Sequence, residues 1–276
     1  MEPQDHESST NLPASTLGAT EAGAEGDRLF IQSAARTMRV LESFAGAAGP
    51  MSLSEIAAAT GMNRSAAQRV VHTLRSLGYL IQADGGTGFL PGPRVLDLAY
   101  GQLRLHPWIA QASGVLIELR RNVRERVDLS LQDDLRMIYA LRQQSKRETW
   151  FATLVGHSVP VWCTSGGWAV LAALPEAEVD DILARAPYHK ITARTLTDPA
   201  EIRDRVAETR ARGYSLALHQ IQIGEIALGV ALTGRDGRPW GAVHVAASLS
   251  EWSPKDFAAR IAPLAIEAAL AIRMGG

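Results

Sequence analysis

Ser52-Leu-Ser-Glu55-Ile-Ala-Ala-Ala-Thr60-Gly61-Met-Asn63-Arg64-Ser65-Ala-Ala-Gln68-Arg69-Val-Val-His72-Thr-Leu-Arg-Ser76-Leu-Gly-Tyr79 carries two helix starts separated by a glycine. Ser52 and Glu55 form a capping box, in which the Ser hydroxyl accepts the amide at the third helical position and the Glu carboxylate reaches back to the cap amide. A short helix to Thr60 follows, and Gly61 supplies the turn. Asn63 caps a second helix that runs to about Leu77 and ends at Gly78. On its wheel Ala67, Val70, Val71, Leu74 and Leu77 share one face, and Ser65, Gln68, Arg69, His72 and Ser76 lie opposite. One face is built to pack and the other to stay free.

Working outward, Ala34, Ala35, Met38, Leu41 and Phe44 recur at helical spacing and predict a helix from Ile31 to Phe44, ended by Gly46 and Gly49-Pro50. Downstream, Tyr79–Ala83 and Thr87–Leu90 read as short strands joined by Asp84-Gly85-Gly86. Helix, glycine turn, polar second helix and β-wing is the order that sets the start of the second helix into the major groove of double-stranded DNA. Arg bonds guanine and Gln bonds adenine bidentately, so Gln68 and Arg69 are the candidate base readers. Asn63, Arg64 and Ser65 are placed for phosphates or base edges, His72 shares their face, and Thr87, Arg36 and Arg39 are candidate backbone contacts.

The whole chain of 276 residues has a formal net charge of −1, which looks wrong for a nucleic-acid binder. The distribution explains it. Glu2, Asp5, Glu7, Glu21, Glu25 and Asp27 precede the first basic residue, Arg28, and Arg36, Arg39, Arg64, Arg69 and Arg75 follow. Residues 1–27 have almost no large apolar side chains and predict a disordered acidic tail. No run of about 18 apolar residues is present, and the start of the chain lacks a signal-peptide pattern, so a cytoplasmic protein without a membrane partner is expected. The single cysteine, Cys163, fits a reducing compartment.

After Pro91 and Pro93, Arg94 to about Leu105 reads as a connecting helix closed by His106-Pro107. Ile109–Val123, Gly167–Leu174, Ala177–Ala186, Asp198–Arg212 and the stretch from Pro254 read as helices. Asp128–Gln132, Met137–Arg142, Ile226–Leu232 and Trp240–Ala247 read as strands. The fold class expected is α+β.

Thr37-Met-Arg-Val-Leu-Glu-Ser-Phe44, Leu53-Ser-Glu-Ile-Ala, Gly61-Met-Asn-Arg-Ser65, Leu74-Arg-Ser-Leu-Gly-Tyr79, Val155-Gly-His-Ser-Val-Pro160 and Arg212-Gly-Tyr214 together resemble the IclR family of transcriptional regulators, from about Leu29 to the C-terminus. Within it, Pro93-Arg-Val-Leu-Asp-Leu-Ala-Tyr100 is similar to the branch that controls catabolism of aromatic acids such as protocatechuate or 4-hydroxybenzoate. The resemblance implies a winged helix-turn-helix domain over 28–91, a linker helix over 92–106 and an effector domain of GAF-like topology over 107–276. It also implies homodimers or homotetramers, repression or activation set by a small-molecule effector, and no cofactor.

Thr164-Ser165-Gly166-Gly167 precedes an apolar helix, so its amides and hydroxyls make a candidate anion site. In the family pattern this stretch lines the effector pocket, faced by the strand with His244 and Ala246 and by the position of Ala227. Trp150, Phe151 and Trp162 are candidate apolar walls. The chain departs from its relatives at Leu218-His219-Gln-Ile-Gln222, where acidic residues are common, and at Ala227 and Ala231, where many members have Cys and Pro. Fewer carboxylates suit an anionic ligand, with His219 or His244 adding a donor or a charge. Two rival readings are an enzyme acting on a small carbonyl or ester substrate with Cys163 as nucleophile and His157 or His244 as base, and a metal sensor using His157, His219 and His244.

Overall fold

The computed structural model describes residues 27–144 and 155–274. The chain divides into two compact units between Gln102 and Leu103, inside helix α4 (Arg94–Leu105), which buries none of its residues. The predicted acidic tail lies outside the described residues except for Asp27, whose carboxylate accepts the amide of Leu29.

In the first unit α1 (Gln32–Glu42), α2 (Leu53–Thr60) and α3 (Arg64–Ser76) precede the wing strands β1 (Leu80–Gln82) and β2 (Phe89–Pro91). The capping box forms: the Glu55 amide donates to Ser52 Oγ at 3.2 Å and the Ser52 amide to Glu55 Oε2 at 2.7 Å. Gly61 ends α2 with φ of 66°, a left-handed backbone that costs glycine little. Asn63 Oδ1 then accepts the Ala66 amide at 2.8 Å and starts α3. Val40, Ile56, Val71, Leu74 and Leu80 form the core that these caps aim at. The first helix is shorter than its periodicity predicts, because Ser43–Gly46 tightens into a 3₁₀ turn. The wing strands are shorter too. Gln82 Nε2 donates to the carbonyls of Gly86 and Gly88, both at 3.0 Å, and closes a 3₁₀ turn over Asp84–Gly86. Met51 pairs with Phe89, so the segment before α2 is stitched to the wing.

The second unit is built on one antiparallel sheet in the order β5-β4-β3-β8-β7-β6. Its strands are β3 (Arg126–Asp133), β4 (Arg136–Gln143), β5 (Ser158–Pro160), β6 (Ser215–Leu218), β7 (Glu225–Thr233) and β8 (Pro239–Ser248). Helices α5 (Pro107–Val123), α6 (Ser165–Ala173), α7 (Glu176–Arg185), α8 (Pro199–Arg212) and α9 (Pro254–Met274) complete it. Strand alternation sends Val127, Leu129, Leu228, Val243 and Val245 to the face where Leu116 of α5 and Phe257 and Ile261 of α9 close the main core. The opposite face meets α6, which in turn carries α8. Among the described residues no helix is long and apolar enough to cross a membrane.

Candidate nucleic-acid interface and ligand cleft

On α3 the side chains of Asn63, Arg64, Ser65, Gln68, Arg69, His72 and Ser76 are exposed, while Ala67, Val71 and Leu74 are buried. The polar face is therefore free within its own unit. Arg64 Nη1 donates to Ser54 Oγ at 2.9 Å, which fixes that guanidinium beside the start of α2. Gln68 and Arg69 make no side-chain hydrogen bond among the described residues and point their donors outward. Arg36 and Thr87 are exposed, and Arg39 is half-buried. Arg75 stands 5.6 Å over the ring of Phe89, a cation held between α3 and the wing that the wheel argument did not single out.

In the second unit, strand register lays the α6-facing side of the sheet out in rows. One row runs Ser215, Gly229, His244, Asp128, Arg142, and the next runs Ala217, Ala227, Ala246, Arg126. A third holds Ala231, Ala242, Ser130 and Tyr139, and the register shift between Leu129 and Ser130 lets Tyr139 and Arg142 share this face. The small residues leave a floor without side-chain bulk. Over it lies a narrow cleft of about 20 Å³, open at its mouth, lined by Arg126, Asp128, Tyr139, Cys163, Thr164, Ser165, Gln220, Glu225 and His244 with the three alanines of the second row and Ile221.

The charged part of the wall is an ordered network. Arg142 Nε and Nη2 donate to Asp128 Oδ1 and Oδ2 at 2.6 and 3.0 Å, and Arg126 Nε donates to Asp128 Oδ2 at 3.0 Å. Arg126 Nη2 also donates to Glu225 Oε2 at 2.8 Å. His244 Nε2 lies 2.5 Å from Ser130 Oγ, and Nδ1 lies 3.4 Å from Ser165 Oγ. Burial, with the guanidinium charges of Arg126 and Arg142, pushes its pKa down to about 4 against the opposing pull of Asp128. The imidazole is neutral at physiological pH.

The sequence comparisons address the same two regions. Residues 33–84 match the IclR helix-turn-helix domain and residues 102–274 match the bacterial transcriptional regulator IclR C-terminal domain. The chain belongs to the IclR family. It is a DNA-binding transcriptional regulator with a C-terminal effector domain. It is 27% identical over 244 residues to the Pca regulon regulatory protein of Pseudomonas putida, covering 88% of this chain and 83% of that one. An IclR transcriptional regulator from Silicibacter sp. superposes with a TM-score of 0.78 at 28% identity, covering 88% of this chain and 95% of that one. An IclR homologue from Microbacterium hydrocarbonoxydans, solved with 4-hydroxybenzoate, shares the fold with a TM-score of 0.69 at 24% identity, covering 88% of this chain and 98% of that one.

Within this IclR effector domain the residues singled out from sequence divide into groups. Thr164, Ser165, Ala227, His244 and Ala246 meet at the cleft. The hydroxyl of Thr164 is already engaged there: it donates to the Pro160 carbonyl at 2.9 Å and accepts the Gly167 amide at 3.1 Å as the N-cap of α6. Gly166 and Gly167 serve close packing, since a Cβ on either would overlap His244 or the Val161 carbonyl. Trp162 does not line the cleft. It is fully buried, edge-on to Tyr188 and His189, and its backbone carbonyl accepts Trp168 Nε1 at 2.6 Å. His219 sits in the β6–β7 turn at φ 58°, and its Nδ1 accepts the Gly224 amide at 2.9 Å, away from the cleft. Trp150 and Phe151 lie outside the described residues. Cys163 is fully enclosed and burial pushes its thiol well up, which suppresses the thiolate a nucleophile needs. No group of three or more His, Cys, Asp or Glu among the described residues is arranged for a metal ion. Sequence reasoning missed Arg126, Asp128, Arg142 and Glu225.

Proposed function

We propose that α3 reads operator DNA in the major groove, with Gln68 and Arg69 at base edges and Asn63, Arg64 and Ser65 at the start of the helix. Arg36, Arg39, His72 and Thr87 add backbone contacts. A small carboxylic acid, aromatic acids first among the candidates, occupies the cleft beneath α6 and shifts the population between arrangements of the winged helices. The observation that carries the reading is the exposed polar face of α3 over an apolar core, in one chain with a narrow cleft that holds a guanidinium beside an alanine floor. The P. putida relative named for the Pca regulon and the homologue bound to 4-hydroxybenzoate support aromatic acids.

Residues 92–106 act as the linker between the DNA-reading unit of 28–91 and the effector domain of 107–276. A second copy of the chain covers Ile31, Met38, Leu96, Leu98 and Tyr100, which are exposed in the first unit. The chain works in the cytoplasm and has no catalytic turnover. Burial of Cys163 supports that last point.

Fluorescence anisotropy with promoter fragments from beside its own gene tests the proposal. Binding should weaken steeply with salt and change on adding 4-hydroxybenzoate or protocatechuate. Indifference to every fragment at low salt, with and without acid, would overturn it. Turnover of an ester that disappears in Cys163→Ser while DNA binding persists would favour the enzyme instead.

A further inference from the structure

One ion pair stands where two cavities meet. Beyond the cleft lies an outer cavity of about 230 Å³, broadly open to solvent, and Arg126, Glu225 and Ala246 line both. The Arg126–Glu225 bond at 2.8 Å forms the partition between them. Its two side chains are only 25% and 17% exposed, so neither is free in solvent, and a half-buried pair of this kind contributes little net stability once desolvation is counted.

The two carboxylates on Arg126 are held differently. Asp128 is gripped on both oxygens by Arg142 and keeps that partner whatever Arg126 does. Glu225 has Arg126 as its one ion-pair partner among the described residues. It is the first residue of β7 and follows Gly224, whose φ is 84°, so its side chain sits at a strand end where it can swing outward. Arg126 uses Nε for Asp128 and Nη2 for Glu225 and leaves Nη1 without a hydrogen bond among the described residues. The fork is therefore only half used. A free carboxylate lying in the plane of the guanidinium can take Nη1 and Nη2 together, a bidentate arrangement stronger than the single bond that Glu225 makes.

We propose that Arg126 is the anchor for the effector's carboxylate and that Glu225 is its internal stand-in, which the incoming carboxylate displaces as the two cavities join. The inference rests on the carboxylic-acid reading of the cleft. The exchange leaves Arg126 paired throughout, and only Glu225 changes partner, to water. A neutral ligand of the same shape has no charge with which to evict Glu225, so the pair selects acids over their amides.

The test is calorimetric titration of the full chain with benzoate, 4-hydroxybenzoate and succinate, each beside its amide, with thermal unfolding of each unliganded variant. At least one acid should bind the wild type in preference to its amide. The isosteric, partly exposed Glu225→Gln change should tighten that acid by about fivefold or more, and Arg126→Gln should weaken it by about tenfold or more and erase the preference. Arg126→Lys, which keeps charge without the fork, should fall between. An acid whose affinity is unchanged in Glu225→Gln, or whose preference over the amide survives in Arg126→Gln, overturns the anchor and leaves the carboxylic-acid reading standing. If no acid binds either the wild type or Glu225→Gln, that reading falls and takes the anchor with it. Should Arg126→Gln fail to fold, the Glu225→Gln comparison decides alone.

Discussion

The backbone of Gly166 rests directly on the imidazole of His244: a Cβ at position 166 would overlap the ring. This contact sets how closely the first turn of α6 approaches the sheet. Gly229 makes the same approach possible on β7, where a Cβ would lie 2.5 Å from the Ser165 carbonyl oxygen. The closeness lets Ser215 Oγ donate to that oxygen at 2.5 Å.

Gly166→Ala should therefore destabilise the effector domain by about 1–3 kcal/mol through overpacking, despite the better helix propensity of alanine. Gly114→Ala is the matched control. Gly114 lies in α5, where an added Cβ would meet nothing within 4 Å, so the same change there should stabilise by up to about 1 kcal/mol. Denaturant unfolding of the two variants checks the contrast, and equal effects would refute the packing argument.

His244 gives the stability of this domain a pH dependence. Its folded pKa of about 4 lies below the ordinary histidine value of 6.5. Between these values the unfolded chain binds a proton that the folded imidazole refuses. The contribution is present above about pH 6.5 and is lost as pH falls toward 4, amounting to about 2 kcal/mol between pH 7 and 5. Burial also lowers His106 and His157, so the diagnostic quantity is the difference between wild type and His244→Gln. The variant should be less stable at pH 7 yet lose less on acidification. Parallel pH profiles would show that His244 is not the group responsible.

The parts of this molecule legible in its sequence are those fixed by neighbours along the chain. Ser52 with Glu55, Asn63 and Asp198 announce helix starts because a cap bonds within three residues of itself. The effector cleft is different in kind, since Arg126 and Glu225 meet across 99 residues through the register of β3, β8 and β7. A signal was nevertheless present in Arg126-Val127-Asp128-Leu129, where charged and apolar residues alternate along a strand and both charges must share the face opposite the core. β5 and β6 are three and four residues long, too short for a periodic signature. The indole of Trp162 reads from sequence as pocket wall or core alike, and only its edge-on packing against Tyr188 and His189, brought near by the fold, places it in the core.

At the DNA face, Arg69 and Arg64 should fail in different ways. Arg69 projects from the middle of the polar face without a side-chain partner among the described residues, so Arg69→Ala should lose about 1–3 kcal/mol of discrimination at one base position. Arg64 is tied to Ser54 beside the helix start. Arg64→Ala should weaken all sequences alike and lower the salt slope by about 1. Anisotropy against a set of single-base operator variants at several salt concentrations separates the two. An unchanged base preference in Arg69→Ala would remove it from the list of readers.

Asp128 offers the sharpest stability test, because it is 1% exposed and receives donors from two arginines. Asp128→Ala takes the carboxylate away from Arg142, whose side chain is 6% exposed and lies 4.9 Å over the ring of Tyr139. Removing one partner of such a buried pair should cost about 3–5 kcal/mol. Part of that cost is the desolvated guanidinium left with one carboxylate fewer, rather than the worth of the bond itself. Removing Arg142 at the same time, as in Asp128→Leu with Arg142→Met, should therefore cost much less than the sum of the single changes. A double-mutant cycle by chemical unfolding measures the difference. Additive losses would mean that Asp128 stabilises the domain through Arg126 instead, and the network would then hang on the one guanidinium that faces both cavities.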